Sequence, residues 1–531
     1  MSHASTVHIV GKDGPVSRRA VARARTSRLG ALALFLVVAG CAVGPDFKPP
    51  ATPTAAHYTE QPASGTTVDS PGLGGAAQRL VPGADIPAQW WTVFHSPEID
   101  RLVQEALANS PTLGAAQATL RQARETLRAN EGGLLSPSVT GSLQGSRQRT
   151  TAGVSGGPSG SSDGSRELNT LNATVDVSYN VDVFGGARRQ IEGFQAQLDL
   201  QKEQLEATYL TLTSNVVTTA LREASFRAQL KATQDIAETQ AKALEIVQAQ
   251  YAAGAVQRAL VLQQRTQLAS TQATIPGLEK QLAQTRNQLA ILTGRTPSEA
   301  DLPTTTLEGL TLPTDLPVSL PSSLVRQRPD IRASEAQLHQ ASAQIGVATA
   351  NMLPQFNITA EYGVTGSSLS HLISPTHTIW SLAGGLTQPI FKGGQLAAER
   401  RAAIAAYDAA SQQYRGTVLL AFQNVADTLV ALDSDAKTLA ADAEADALAS
   451  ETLVLTQSQY RLGAVGYLSL LIAQQQYFQA HTTLVQAQAQ RFTDTATLFQ
   501  ALGGGWWNRT EPLAEVAGPL ADRGTNTQPN P

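Results

Sequence analysis

The chain has 531 residues, of which only 15% are charged and 5% aromatic, and its formal net charge is −4. A usual soluble domain is about 25% charged, and a nucleic-acid binder needs a strongly basic face, so the mild net charge argues against the latter and leaves membrane and protein partners open. A single cysteine, Cys41, excludes an internal disulfide framework and a Cys-based zinc site.

The first forty residues read as a lipoprotein signal peptide. Arg18, Arg19, Arg23, Arg25 and Arg28 form a positive region, and the apolar run from Leu29 to Val38 is too short to span a membrane as a helix. Val38-Ala39-Gly40-Cys41 follows. Small residues let a peptidase reach the backbone, and the Cys41 thiol is the atom that would take up a diacylglyceryl group, with an N-acyl chain added after cleavage. Ser17-Arg18-Arg19 resembles a twin-arginine signal but lacks the apolar pair that should follow. Ala42 stands where an Asp usually marks inner-membrane lipoproteins, which points to the outer membrane. No later segment has about 18 consecutive apolar residues, so a mature chain that crosses a membrane must do so with strands.

Residues 41–95 are expected to be a lipidated tether and surface wrap, rich in Pro, Gly, Ala and Thr, ending in the aromatic anchor Trp90-Trp91-Thr92-Val93-Phe94. The chain is then written twice, a pattern sought before local detail. Residues 96–305 form the first repeat, 306–327 a Pro/Thr-rich linker, 328–507 the second repeat, and 508–531 a tail expected to be disordered. Ser110-Pro111 and Arg328-Pro329 each open a helix with Pro at its first turn. Each helix ends before a proline, Pro137 or Pro354.

Alternating segments come next. Val175, Val177, Tyr179, Val181 and Val183 interleave with polar residues, as do Val139 and Leu143, and the second repeat alternates from Phe356 to Tyr362 and from Ile379 to Ile390. A period of two predicts strands, one hairpin per repeat, each strand about ten residues long, the length that crosses a bilayer when tilted. Phe184-Gly185-Gly186 and Phe391-Lys392-Gly393-Gly394 close the hairpins. Long helices without an internal Pro follow, from 187 to about 250 and from 395 to about 459. In the first, Ile191, Phe194, Leu198, Leu205, Leu212 and Val216 trace a coiled-coil stripe. Both helices stop at one signature, Tyr251-Ala252-Ala253-Gly254-Ala255-Val256 and Tyr460-Arg461-Leu462-Gly463-Ala464-Val465, and both return. Pro276 is expected to kink or break the first returning helix.

Four strands cannot close a barrel, and a bilayer tolerates no open strand edge. Chains must pool their strands; three would give about twelve and would gather the long helices into a second tube.

Taken in order, Cys41-Ala42-Val43-Gly44-Pro45-Asp46-Phe47, Trp90-Trp91-x-x-Phe94, Arg328-Pro329-Asp330-Ile331-Arg332, Phe391-x-Gly393-Gly394 and Tyr460-x-x-Gly463 resemble the TolC-like outer membrane factor family, in its lipidated NodT-type branch that serves resistance-nodulation-division (RND) pumps. The resemblance runs from Cys41 to about Trp507. It implies a homotrimer with a 12-stranded β-barrel in the outer membrane and a periplasmic α-helical barrel, joined through a periplasmic adaptor to an inner-membrane RND transporter. It implies a passive conduit for small molecules, with no enzyme activity and no cofactor beyond the lipid on Cys41. It also assigns the tip, where the duct closes and the adaptor docks, to Tyr251, Gly254, Val256, Tyr460, Gly463, Val465 and Ile472. Many relatives carry an Asp where Ile472 stands, and some carry one at Val465, so a more apolar constriction is expected here than an acidic, cation-binding ring.

Catalytic patterns are weak. Gly153-Val154-Ser155-Gly156-Gly157 fits a nucleophile motif but sits in a Gly/Ser-rich stretch between strands rather than between a strand and a helix. His371 and His377 share a hairpin loop without further ligands. No phosphate loop or paired helical His motif occurs. Two rival readings are a surface adhesin, which would explain the long helices but not the duplicated hairpins, and a lipid-anchored coiled-coil periplasmic scaffold whose hairpins never cross the membrane.

Overall fold

The computed structural model describes residues 42–60, 65–151, 165–299, 301–370, 375–510 and 513. The signal peptide with Cys41, the Gly153–Gly157 motif, His371 and the tail from 514 onward lie outside them. The described chain divides into two units: one takes residues up to 46, 129–193 and 342–404, the other 47–128, 194–341 and 405 onward.

The first unit is built on the two hairpins. β2 (Ser138–Thr151) pairs antiparallel with β3 (Ser165–Val181), β3 with β5 (Gln355–Gly366), and β5 with β6 (Thr378–Thr387), in the order β2-β3-β5-β6. The repeats therefore meet strand to strand at their centre, with Val175 opposite Tyr362 and Val177 opposite Ala360. The first hairpin, with strands of 14 and 17 residues, is longer than expected; the second, of 12 and 10, is close to expectation. β6 ends at Thr387 rather than Ile390. Pro389 has no amide hydrogen for the ladder, and the Gln388 side chain turns to donate to the Met352 carbonyl instead.

The second unit holds the helical bundle and the main core. α1 (Pro97–Asn109) starts on Ser96, whose hydroxyl accepts from the Ile99 amide at 3.3 Å. α2 (Pro111–Leu135) leads to the first hairpin. Beyond it α3 (Gly186–Ala252) and α4 (Arg258–Leu292) form one long helical pair, and α7 (Gln395–Arg461) and α8 (Tyr467–Ala501) form the other. The two pairs have identical lengths, 67 and 35 residues, and a 67-residue helix spans about 100 Å. Leu198, Leu205, Leu212 and Val216 of the predicted stripe are buried. α4 runs through Pro276 as one helix, so the proline costs hydrogen bonding without ending the element.

The linker is more ordered than its composition implies. β1 (Arg79–Pro82) in the amino-terminal segment pairs in parallel with β4 (Asp315–Val318) of the linker, and α5 (Pro321–Gln327) and α6 (Pro329–Ala350) open the second repeat. Trp90, Phe94, Phe492 and Phe499 are fully buried together, Trp90 stacked on Phe499 at 5.5 Å. Asn508 and Arg509, in the stretch expected to be disordered, are held: Asn508 donates to the Ile86 carbonyl and Arg509 pairs with Glu206.

Candidate channel wall and helical tip

Strand alternation gives the sheet two chemically different faces. One carries Val139, Leu143, Leu171, Val175, Val177, Phe356, Ile358, Tyr362, Trp380, Leu382 and Leu386, brought into rows by the register. Many of these project into open space; Leu143 is 77% exposed and Trp380 76%. An exposed apolar surface this continuous marks a membrane or partner contact. Along β3 it runs from Leu171 to Val181, about 33 Å of strand path, which a tilt of about 40° reduces to the ~25 Å apolar band of an outer-membrane barrel. Beyond the band the same face turns polar, where Arg147 pairs with Glu167.

The opposite face bears Thr140, Ser142, Gln144, Asn172, Thr174, Asp176, Asn180, Asn357, Thr359 and Glu361. Its hydroxyls and amides bond across strands: Ser142 with Thr174 at 2.6 Å, Ser138 with Ser178 at 2.7 Å, and Thr365 donating to Asn172 at 2.6 Å. The residues named on this face are uncharged apart from Asp176 and Glu361, which the register sets opposite one another. The outer edges, β2 and β6, have no partner strand among the described residues.

At the far end of the helices both predicted turns are Schellman caps. Gly254 and Gly463 have φ of +74° and +73°, the left-handed conformation that favours glycine. The Ala255 amide reaches the Gln250 carbonyl at 2.8 Å, and the Ala464 amide reaches Gln459 at 2.9 Å. Above the turns Val247, Leu453, Tyr467, Leu470 and Ala473 form a small separate core, with Val256 and Tyr460 packed against it. Two tyrosines tie one helical pair to the other. The Tyr467 hydroxyl donates to Gln264 Oε1 at 2.7 Å, and Gln264 Nε2 donates to the Gln240 carbonyl at 3.1 Å. The Tyr460 hydroxyl donates to Gln250 Oε1 at 3.1 Å, and the two rings meet edge to face at 5.3 Å. Burial pushes the Tyr467 hydroxyl well above its ordinary pKa, so it stays a donor.

The structure thus brings Tyr460 and Val256 into the seam, while Gly254 and Gly463 form the turns and Val465 lies half-buried beside the second. Tyr251, the counterpart of Tyr460, is 46% exposed, and Ile472 is 49% exposed with no acidic replacement nearby in sequence. Sequence reasoning missed Tyr467, Gln264, Gln250 and Gln240. Tyr460 ends α7 and Tyr467 opens α8 on the other side of the turn, so their contact depends on how the two helices pack, and no local spacing announced it.

The model of the outer membrane efflux protein family matches residues 102–295 and 320–504. The chain belongs to that family. Among similar proteins, the pyoverdine export outer membrane protein OpmQ of Pseudomonas putida is 31% identical over 79% of this chain and 88% of its own length. The probable efflux pump outer membrane protein TtgC of the same species is 28% identical over 89% and 94%. The solved outer-membrane channel OprN superposes with a TM-score of 0.77 at 25% identity, covering 88% of this chain and all of that one.

This efflux protein is therefore an outer-membrane channel component and not an enzyme, and it extends into the periplasm. The match covers both repeats, so the duplication read from the sequence is the family's own architecture. Among the described residues no group of three His, Cys, Asp or Glu could hold a metal, and no helix is long and apolar enough to cross a membrane.

Proposed function

We propose that three copies of this outer membrane efflux protein close their sheets into a 12-stranded barrel and continue as a helical duct, through which small molecules pass passively from an RND transporter in the inner membrane. The observation that carries this is the sheet itself, with one apolar exposed face, one polar face and two edges that have no partner strand among the described residues. An isolated edge in lipid costs several kcal/mol for each unpaired backbone group, so neighbours must supply the missing strands. Lipid on Cys41 would add a second attachment to the outer membrane.

At the tip, Tyr251, Gly254, Val256, Tyr460, Gly463, Val465 and Ile472 form the end that a periplasmic adaptor would meet. The seam above it is held by neutral hydrogen bonds between helical pairs, a bond type worth about 1 kcal/mol net each, so contact at the turns could part it. Ile472 makes the constriction apolar. Purified protein should run as a heat-modifiable trimer and conduct in planar bilayers, with no block by micromolar trivalent cations. Ile472→Asp should introduce that block. A water-soluble monomer without conductance would refute the duct, and strong cation block of the unmodified channel would refute the apolar tip alone.

A further inference from the structure

The residues that follow Cys41 are fastened to the protein at once. The Val43 amide donates to the Phe184 carbonyl at 3.0 Å, where β3 gives way to α3. Arg189, with a side chain only 7% exposed, reaches across the same segment. Its Nε donates to the Val43 carbonyl at 3.1 Å; its Nη2 donates to the Gly44 carbonyl at 3.4 Å and to Asp46 at 2.7 Å; its Nη1 pairs with Glu192 at 2.7 Å. One planar guanidinium therefore gathers two backbone carbonyls and two carboxylates, a geometry that a lysine cannot reproduce.

Glycines make room for this contact. Gly44 has φ of +98°, and a Cβ there would come within 2.4 Å of the Gly346 Cα on α6. A Cβ on Gly346 would meet the Arg189 Cγ at 2.7 Å, and one on Gly185 would meet the Ala42 Cα at 2.6 Å. Backbone lies against backbone on both sides, so the segment has a built seat rather than a chance resting place.

The duplication supplies an internal control. The second repeat turns the same corner at Phe391-Lys392-Gly393-Gly394; aligned on the glycine pair, Ala397 stands where Arg189 does, and aligned on the start of the following helix, Ala398 does. Ile390 is 94% exposed there and Phe391 87%. A strand-to-helix corner of this type thus forms without an arginine and without a covering segment. What the first corner has and the second lacks is the amino terminus.

We propose that Arg189 is a positioning residue that clasps the lipid-bearing amino terminus to the first strand-to-helix corner, so that the acyl chains enter the bilayer at the foot of the apolar band. This rests on the reading that Cys41 is lipidated. Ala42 is bonded to Cys41, so whatever the thiol carries is delivered beside Phe184, whose ring lies 6.4 Å from that of Phe356 at the lower end of the band. The anchor then fixes the depth of the barrel instead of trailing on a leash.

The test uses the full-length protein with Arg189→Met and Arg189→Lys, each also in a Cys41→Ser background exported by a cleavable signal peptide. Hydrogen exchange of the Val43 amide should accelerate at least tenfold in Arg189→Met while the Val175 and Val177 amides keep their rates; unchanged Val43 exchange would overturn the clasp. In cells, Arg189→Met should lower heat-modifiable outer-membrane assemblies about fivefold, Arg189→Lys should restore only part, and in the Cys41→Ser background Arg189→Met should add no further loss. An equal loss in both backgrounds would show an arginine serving folding alone and would overturn the coupling to the anchor. Labelling with an alkyne fatty acid separates the two ideas: no label on wild-type Cys41 would sink lipidation and the anchor's part in the proposal, while the exchange measurement still decides the clasp.

Discussion

Each repeat sets an arginine between its two long helices, at positions about one helical turn apart in the repeat register, and the two repeats use it differently. In the first, Arg286 on α4 pairs at 2.7 Å with Glu223 on α3, a fully buried carboxylate that also takes Arg227 at 2.6 Å. In the second, Arg491 on α8 is itself fully buried, and the equivalent place on α7 is Leu432, whose backbone carbonyl accepts at 2.9 Å. Asp435 and Asp494 act on Arg491 electrostatically, and its other donors go to the amino-terminal segment: the Gly74 carbonyl at 3.4 Å, the Ala76 carbonyl at 3.3 Å and the Thr67 hydroxyl at 3.5 Å. Duplication supplied one scaffold twice. Each copy places its arginine at a different position of that scaffold, and the arginine of the second copy holds a segment that occurs once. Arg189 shows the same logic at the strand-to-helix corner, where a single-copy side chain serves the single amino terminus.

That comparison can be broken by removing each arginine. Arg491→Met leaves buried carbonyls unpaired and releases the wrap; removing one member of a buried charged network typically costs about 3–5 kcal/mol. Arg286→Met should cost less, about 1–3 kcal/mol, because its side chain is 33% exposed and Glu223 keeps Arg227. Denaturant unfolding of the two variants measures both. Proteolysis adds a second readout: the segment from Thr67 to Gln78 should be cut faster in Arg491→Met only. Equal destabilisation with no difference in cleavage would mean that the two arginines are interchangeable packing elements.

A second contrast concerns acids. Glu223 is matched by two arginines, whereas Glu203, also buried, pairs with Arg332 at 2.8 Å. Burial pushes the Glu203 carboxyl up to about 7, with Arg332 acting against the shift. A carboxyl whose folded pKa is raised binds more protons folded than unfolded between its ordinary value near 4.5 and about 7. Its contribution is therefore fully present at low pH and is lost as pH rises through that window. Glu203→Gln should remove this slope and raise stability at pH 7.5 by about 1–3 kcal/mol, read as a higher Tm at pH 7.5 with little change at pH 4.5. A lower Tm at pH 7.5 would show that the pairing with Arg332 outweighs desolvation.

Much of the fold was legible because its signals are local. Alternation such as Val175, Val177 and Tyr179 fixes which strand face is apolar, and the Tyr-x-x-Gly spacing marks where each long helix must turn. The features that were not legible depend on contacts between distant residues. Nothing near Arg491 in sequence announces Gly74 and Ala76, and nothing in Arg79–Pro82 announces a parallel partner at Asp315–Val318. Composition alone leaves residues 41–95 as a tether or a wrap, because nothing local shows that Gly44 and Gly185 are small so that backbones can touch. At the tip, attention to the turn residues passed over Tyr467, whose role depends on Gln264 in the other repeat.

The smallest expected effects separate the two tip tyrosines. Tyr467 is 7% exposed and bonds at 2.7 Å to a fully buried glutamine, while Tyr460 lies half-buried and bonds at 3.1 Å to Gln250. Tyr467→Phe keeps the ring but strands Gln264 Oε1 in the interior, a loss of about 1–2 kcal/mol; Tyr460→Phe lets Gln250 turn to water and should cost about 0.5 kcal/mol. If the seam holds the tip shut, the first variant should raise the open fraction in bilayer recordings about tenfold and the second by less than threefold. The order matters more than the size. A larger response from Tyr460→Phe would place the latch at the turn itself, and equal silence from both would mean that apolar contacts around Val247, Leu453 and Leu470 keep the tip closed without help from these bonds.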